Sequence, residues 1–262
     1  MKRLLLVLIL CAPAWAANDF TTDANCVSLW RLESGALTTD SIGTNTTTLH
    51  SITSDTSLKK EGGGSGIWSY TISDMTIADA NLSSKFPLKS GDTNKKISVC
   101  FWVYRTGSTN RWFFGKGADG SSYSFTIHNV DGTGLNMWIG HNGGASYEII
   151  TGPSYGSMLS NWFHVGATFD DSTKGWHFRV WDDTGGAVTD MSGTSTNNIY
   201  VGNIALGIGC DGVTGRAFGG RLDEVVVFND ILTSDEIDAI RQGLYPAAAG
   251  NNDWWWRRRH NN

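Results

Sequence analysis

Three segments of this sequence place flat aromatic rings beside hydrogen-bonding groups. Alternation along 122–130 sends Tyr123, Phe125 and Ile127 to one face and Thr126 and His128 to the other. In the segment that follows, Leu135, Met137 and Ile139 make one row, Asn136 and Trp138 the other. The 176–181 segment splits into Trp176, Phe178, Val180 and His177, Arg179, Trp181. The first row of each reads as core. The second rows have the chemistry of a sugar platform, because apolar C–H faces stack on indole while hydroxyls take polar partners. The same residues also suit a plain sandwich exterior, so both readings stand at this level. His128, His164 and His177 read as ordinary sheet histidines, since no ligand spacing joins them.

Hydrolytic chemistry is poorly represented. The chain has no His-Glu-x-x-His and no Cys-x-x-Cys. Its one Glu-x-Asp is Glu236-Ile237-Asp238, in a segment read as helix, where the two acids point in different directions.

The elements that must position these rows are strands. Glycine is abundant at 32 residues and proline scarce at 4, which suits short strands joined by tight turns. Strands are expected at 27–32, 67–77, 86–88, 97–104, 111–115, 122–130, 135–140, 147–151, 161–169, 176–181 and 199–207. Residues 44–66, rich in threonine, serine and glycine, read as one long surface loop. Roughly ten-residue spacing without intervening helices predicts an all-β, two-sheet antiparallel sandwich. Residues 1–16 have the makeup of a secretory signal: Lys2-Arg3, an apolar run from Leu4 to Leu10, and Ala14-Trp15-Ala16. One domain is expected over 17–245, then a linker and tail over 246–262, and a secreted or cell-surface location.

The segment from Phe218 to Leu244 organises the rest. Gly219-Gly220-Arg221-Leu222-Asp223-Glu224-Val225-Val226-Val227-Phe228 reads as a buried strand, and Thr233-Ser234-Asp235-Glu236 has capping-box spacing. Ile237, Ile240 and Leu244 follow as one apolar stripe, with Gly243 placed to end the helix. This strand, turn and short helix resembles the closing signature of the LamG/concanavalin A-like jelly rolls, in particular the bacterial laminin G-like, pentraxin-like group. Segments Asn161–Asp170 and Phe178–Trp181 resemble the family in its own order, so the likeness covers about 26–245.

The resemblance implies a jelly-roll fold with one short C-terminal helix and a lectin-like role. It implies one structural Ca2+ tying the opening turn to the closing strand, with Asp40 and Asp223 at the matching positions. The glucanase acid motif of the superfamily, Glu-x-Asp-x-x-Glu on one strand, is missing, because Arg241 stands three residues past Asp238. The pentraxin disulfide is missing as well. Its first half resembles the strand of Cys100, but the expected partner position holds Gly166.

Charge and cysteines narrow the partners. Without the leader, 18 basic residues face 25 acidic ones, a net charge of −7, and the part up to Ala249 carries −9. An acidic domain of this kind is no candidate for nucleic acid. Cys26, Cys100 and Cys210 remain, an odd number that leaves at least one thiol unpaired or paired between chains. The tail Trp254-Trp255-Trp256-Arg257-Arg258-Arg259 suits a protein groove or a membrane interface. The sequence thus supports a non-catalytic, polysaccharide- or glycan-binding module. The rival is an adhesive surface protein engaging a protein partner through this tail.

Overall fold

The computed structural model describes residues 18–69, 73–107, 111–117, 122–130, 133–156, 158–212 and 217–245. Residues 1–17, with the expected leader, and the tryptophan–arginine tail lie outside them. In chain order the strands are β1 (Cys26–Trp30), β2 (Thr48–His50), β3 (Thr53–Asp55), β4 (Ser65–Trp68), β5 (Asp74–Ile77) and β6 (Lys96–Arg105). Next come β7 (Arg111–Lys116), β8 (Phe125–Val130), β9 (Gly134–His141), β10 (Ser146–Thr151) and β11 (Trp162–Asp170). The last are β12 (Gly175–Asp182), β13 (Ala187–Thr194), β14 (Leu206–Ile208) and β15 (Gly220–Phe228), followed by helix α1 (Ser234–Arg241).

They form two antiparallel sheets. One runs β13-β12-β11-β6-β15-β4-β3, with β1 also paired to β15; the other runs β10-β9-β8-β7-β14-β5-β2. The expected jelly-roll sandwich with one short helix is the fold observed. Trp30 pairs with Val225, so both ends of the domain are hydrogen-bonded into one sheet.

Alternation puts Phe101, Val103, Val165, Ala167 and Phe178 of the larger sheet against Phe113, Ile127, Leu135 and Met137 of the smaller one. A second cluster lies on the outer face of the larger sheet. There Ile237 and Ile240 of α1 cover Cys100, Val226, Phe228 and Leu29, and Phe20 and Tyr245 close the edge. α1 starts with a capping box between Thr233 and Glu236. It ends with a Schellman pattern: Gly243 N–H reaches Ile240 O, Leu244 N–H reaches Ala239 O, and Gly243 is left-handed at φ 67°.

Several expected boundaries move. The 44–66 loop carries β2, β3 and the start of β4, edge pieces too short and polar to show a period. The 67–77 strand is two strands that belong to different sheets. Phe86–Leu88 forms turns instead of a strand, although both apolar side chains are buried in the core. Of the 199–207 strand only its end is β14. β13 was not expected, because its residues are almost all exposed and alternate no apolar row.

Candidate glycan-binding face

The outer face of the smaller sheet carries an aromatic cluster. On β8 and β9 the register pairs Thr126 with Trp138 and His128 with Asn136, so these four expected site residues are direct cross-strand neighbours. Trp112 of β7 stands opposite His128, and its ring stacks on the imidazole at 5.4 Å and 26°. His128 also meets the Trp138 ring edge-to-face at 4.6 Å. Tyr147 of edge strand β10 lies flat on Trp138, with centroids 4.1 Å apart and planes at 10°. Tyr123 touches both rings.

Beneath these rings lie polar atoms with no protein partner. Thr126 Oγ1, Ser124 Oγ, the Trp138 indole N–H and both ring nitrogens of His128 are buried and make no hydrogen bond. Such atoms are uncommon in folded proteins because each forfeits its hydration. Burial holds the His128 pKa down at about 3. The imidazole is therefore neutral at physiological pH and offers one N–H donor and one acceptor nitrogen. With Thr126 and the indole N–H, the cluster can donate to and accept from hydroxyls. It contains no carboxylate.

Sequence alternation missed Trp112, Tyr123 and Tyr147. Trp112 sits in the aromatic run Trp112-Phe113-Phe114, where a bulge between Trp112 and Phe114 breaks the period. Tyr123 was assigned to the core row with Phe125 and Ile127, but β8 begins only at Phe125, so the alternation does not extend to it. Tyr147 and Ile149 are exposed at i and i+2 on β10, the one signal that could have marked the edge.

His177, Arg179 and Trp181 do not join this site. They lie on β12 of the other sheet, facing outward from the opposite side of the sandwich. A single platform with Thr126, His128, Asn136 and Trp138 is therefore excluded. Their charged groups pair within the protein, although Arg179 Nε has no partner: His177 and Arg179 both bind Asp190, Arg179 binds Asp238 of α1 at 2.6 Å, and the Arg241 guanidinium lies 4.2 Å from the Trp181 ring. This row fastens the helix to the sheet.

The two expected calcium ligands also sit apart in function. Asp40 Oδ1 accepts from the backbone N–H groups of Leu29, Ile42 and Gly43, and Oδ2 from the backbone and side chain of Asn45. Asp223 Oδ2 accepts from the N–H groups of Lys60 at 2.7 Å and Glu61 at 3.1 Å, while Oδ1 is buried without a partner. Burial pushes the Asp223 carboxyl up to about 7 and that of Glu224 up to about 8, the latter despite Arg31 at 3.0 Å. A cation bridging Asp40 to Asp223 does not fit this donor set, since Asp40 would first have to release its N–H donors. Among the described residues no group of three or more His, Cys, Asp or Glu side chains is placed to hold a metal.

Cys26, Cys100 and Cys210 are buried free thiols. Cys26 and Cys100 stand on β1 and β6 with β15 between them, about 10 Å apart across two strand spacings and beyond disulfide reach.

Residues 75–238 match the Laminin_G_3 family of the concanavalin A-like lectin/glucanases superfamily. The chain belongs to that family. A search of the curated proteins found no match. Among solved structures, domain 4 of AbnA, an extracellular GH43 arabinanase of Geobacillus stearothermophilus in complex with arabinotriose, is similar. It has a TM-score of 0.56 and 17% identity over 84% of this chain and 98% of that one. The binding domain of Paraclostridial Mosquitocidal Protein 1 is similar at TM-score 0.57 and 14% identity, over 82% of this chain and 51% of that one. The receptor binding domain of botulinum neurotoxin type G gives 0.54 and 14%, over 84% and 51%. The chain spans about half the length of these two toxin domains. At such identities the likeness concerns the fold.

Proposed function

We propose that the protein is a non-catalytic carbohydrate-binding module acting outside the cytoplasm, with the outer face of the smaller sheet as its glycan surface. The observation that carries this reading is the row of buried, unpartnered polar atoms on Thr126, His128 and Trp138 inside an aromatic cluster. Stacking surfaces beside unspent donors and acceptors are what a sugar ring requires. Among the described residues the cluster holds no carboxylate that could serve as a general acid. Two similarities support the reading: the arabinanase domain solved with arabinotriose and the toxin binding domains share this architecture. The apolar run and small-x-small pattern of residues 1–16 support export.

Affinity electrophoresis in gels containing arabinan, xylan or mixed-linkage β-glucan tests the assignment. Retardation of the wild type that Trp138→Ala abolishes, and that truncation after Tyr245 leaves intact, is the expected result. Retardation lost on truncation but kept by Trp138→Ala would transfer the binding role to the tail.

A further inference from the structure

One face of the half-buried Trp138 ring is covered in this structure. Tyr147 lies flat against it, Trp112 and His128 meet it edge-to-face, and Tyr123 closes a further side. A sugar can stack on the face that Tyr147 covers only if one of the cluster rings leaves. Their burial differs sharply: His128 is 1% exposed, Tyr123 6% and Trp112 9%, but Tyr147 is 38% exposed. Tyr147 also stands on an edge strand, hydrogen-bonded to β9 alone among the described strands. Beside it on the same strand face Ile149 is 55% exposed, an apolar surface along which a displaced phenol ring can lie.

The geometry of the Tyr147–Trp138 stack matters as much as its exposure. Near-parallel rings at 4.1 Å reproduce the contact that a sugar's C–H face makes with an indole. Behind that contact sit the unpartnered Trp138 N–H and His128 nitrogens, which a phenol ring cannot satisfy.

We propose that Tyr147 is a built-in occupant of the Trp138 ring face, and that a glycan binds by displacing it. The proposal rests on the glycan-surface reading above. It makes Tyr147 a determinant of affinity that works against binding, unlike the other rings of the cluster. An occupied site lowers apparent affinity in proportion to the fraction of time it is open.

The test compares wild type, Tyr147→Ala, Tyr147→Phe and Trp138→Phe. Each is assayed by affinity electrophoresis on arabinan, xylan and mixed-linkage β-glucan, with thermal melts confirming folding. A stacked aromatic pair contributes enough to change occupancy about two- to tenfold. Tyr147→Ala is therefore expected to bind about two- to tenfold tighter, Tyr147→Phe like the wild type, and Trp138→Phe more weakly. If Tyr147→Ala weakens binding or leaves it unchanged while Trp138→Phe still loses it, Tyr147 is no competitor and the glycan surface stands. If Trp138→Phe binds as the wild type does, or if neither the wild type nor Tyr147→Ala binds any of the three polysaccharides, the glycan surface itself is overturned and the proposal with it.

Discussion

A Cβ placed on Gly166 would stand 2.4 Å from Cγ2 of Ile237. Gly166 pairs directly with Cys100 across β11 and β6, and Ile237 of α1 is fully buried above that pair. The space that a disulfide would fill in the pentraxin-like relatives this sequence resembles is thus taken by a helix side chain. The substitution of packing for a covalent bond fixes how α1 can sit, because only a residue without a side chain admits the isoleucine.

Gly166→Ala is accordingly an overpacking change. It is expected to cost about 1–3 kcal/mol in urea unfolding, with the m-value unchanged. In an Ile237→Ala background its cost should be smaller, since that change removes the Cγ2 a Cβ at 166 would meet. A double mutant whose loss equals the sum of the single ones would show that the two positions do not meet.

Asp40 supports a second prediction. Its carboxylate organises the opening turn through four backbone N–H groups and the Asn45 amide. Removing those acceptors with Asp40→Ala is expected to cost about 1–3 kcal/mol. If these hydrogen bonds suffice to hold the turn, the loss should be the same in EDTA and in millimolar calcium. A wild-type melting temperature that rises with calcium and ceases to do so in Asp40→Ala would restore the clamp.

Much of this architecture is legible in the sequence, and the failures have local causes. The β15–α1 segment reads correctly through Gly243, because propensity and cap agree: Thr233, Glu236, Ile237, Ile240 and Gly243 take the roles their types suggest, whereas Leu244, expected in the apolar stripe, is exposed. β8 and β9 read correctly because strict alternation survives along both. Period-two reasoning tells which side of its own strand a residue faces, but not which sheet the strand joins. Thr126, His128, Asn136 and Trp138 therefore come together, whereas His177, Arg179 and Trp181 lie on the other sheet. Asp223 shows a different limit. Its burial and its contacts with the N–H groups of Lys60 and Glu61 depend on a loop 162 residues away in sequence.

Two buried histidines set the acid limb of stability. Burial holds His128 and His164 at about 3, against about 6.5 in an unfolded chain. Between those values the unfolded chain binds protons that the folded one refuses. The contribution is therefore complete above pH 6.5 and erodes as pH falls toward 3. Asp223 and Glu224 act in the opposite sense. Raised to about 7 and about 8, they favour the fold at low pH and cost stability as pH rises through those values. The two trends overlap, so the histidine effect must be read as a difference between proteins. His128→Gln is expected to gain on the wild type as pH drops from 7 to 4.5 in parallel urea titrations. Equal pH dependence of the two proteins would mean that His128 titrates in the fold as it does in the unfolded chain.

The two outer faces of the sandwich give the last prediction, because they carry similar residues with different obligations. On β12, Arg179 spends its guanidinium on Asp190 and on Asp238 of α1, so its loss should loosen the helix. The pair with Asp238 is partly exposed, and Arg179→Ala is expected to cost about 1 kcal/mol of stability without altering polysaccharide retention. On β8, His128 makes no hydrogen bond within the protein, so its ring nitrogens contribute nothing polar to the fold. His128→Phe keeps the ring and its stacking on Trp112, and should therefore fold with nearly wild-type stability. It should nevertheless weaken retention about tenfold, the effect of removing one buried donor or acceptor from a ligand hydroxyl. Stability and binding would then separate by face. Retention that falls with Arg179→Ala and holds with His128→Phe would place the sugar on the larger sheet instead.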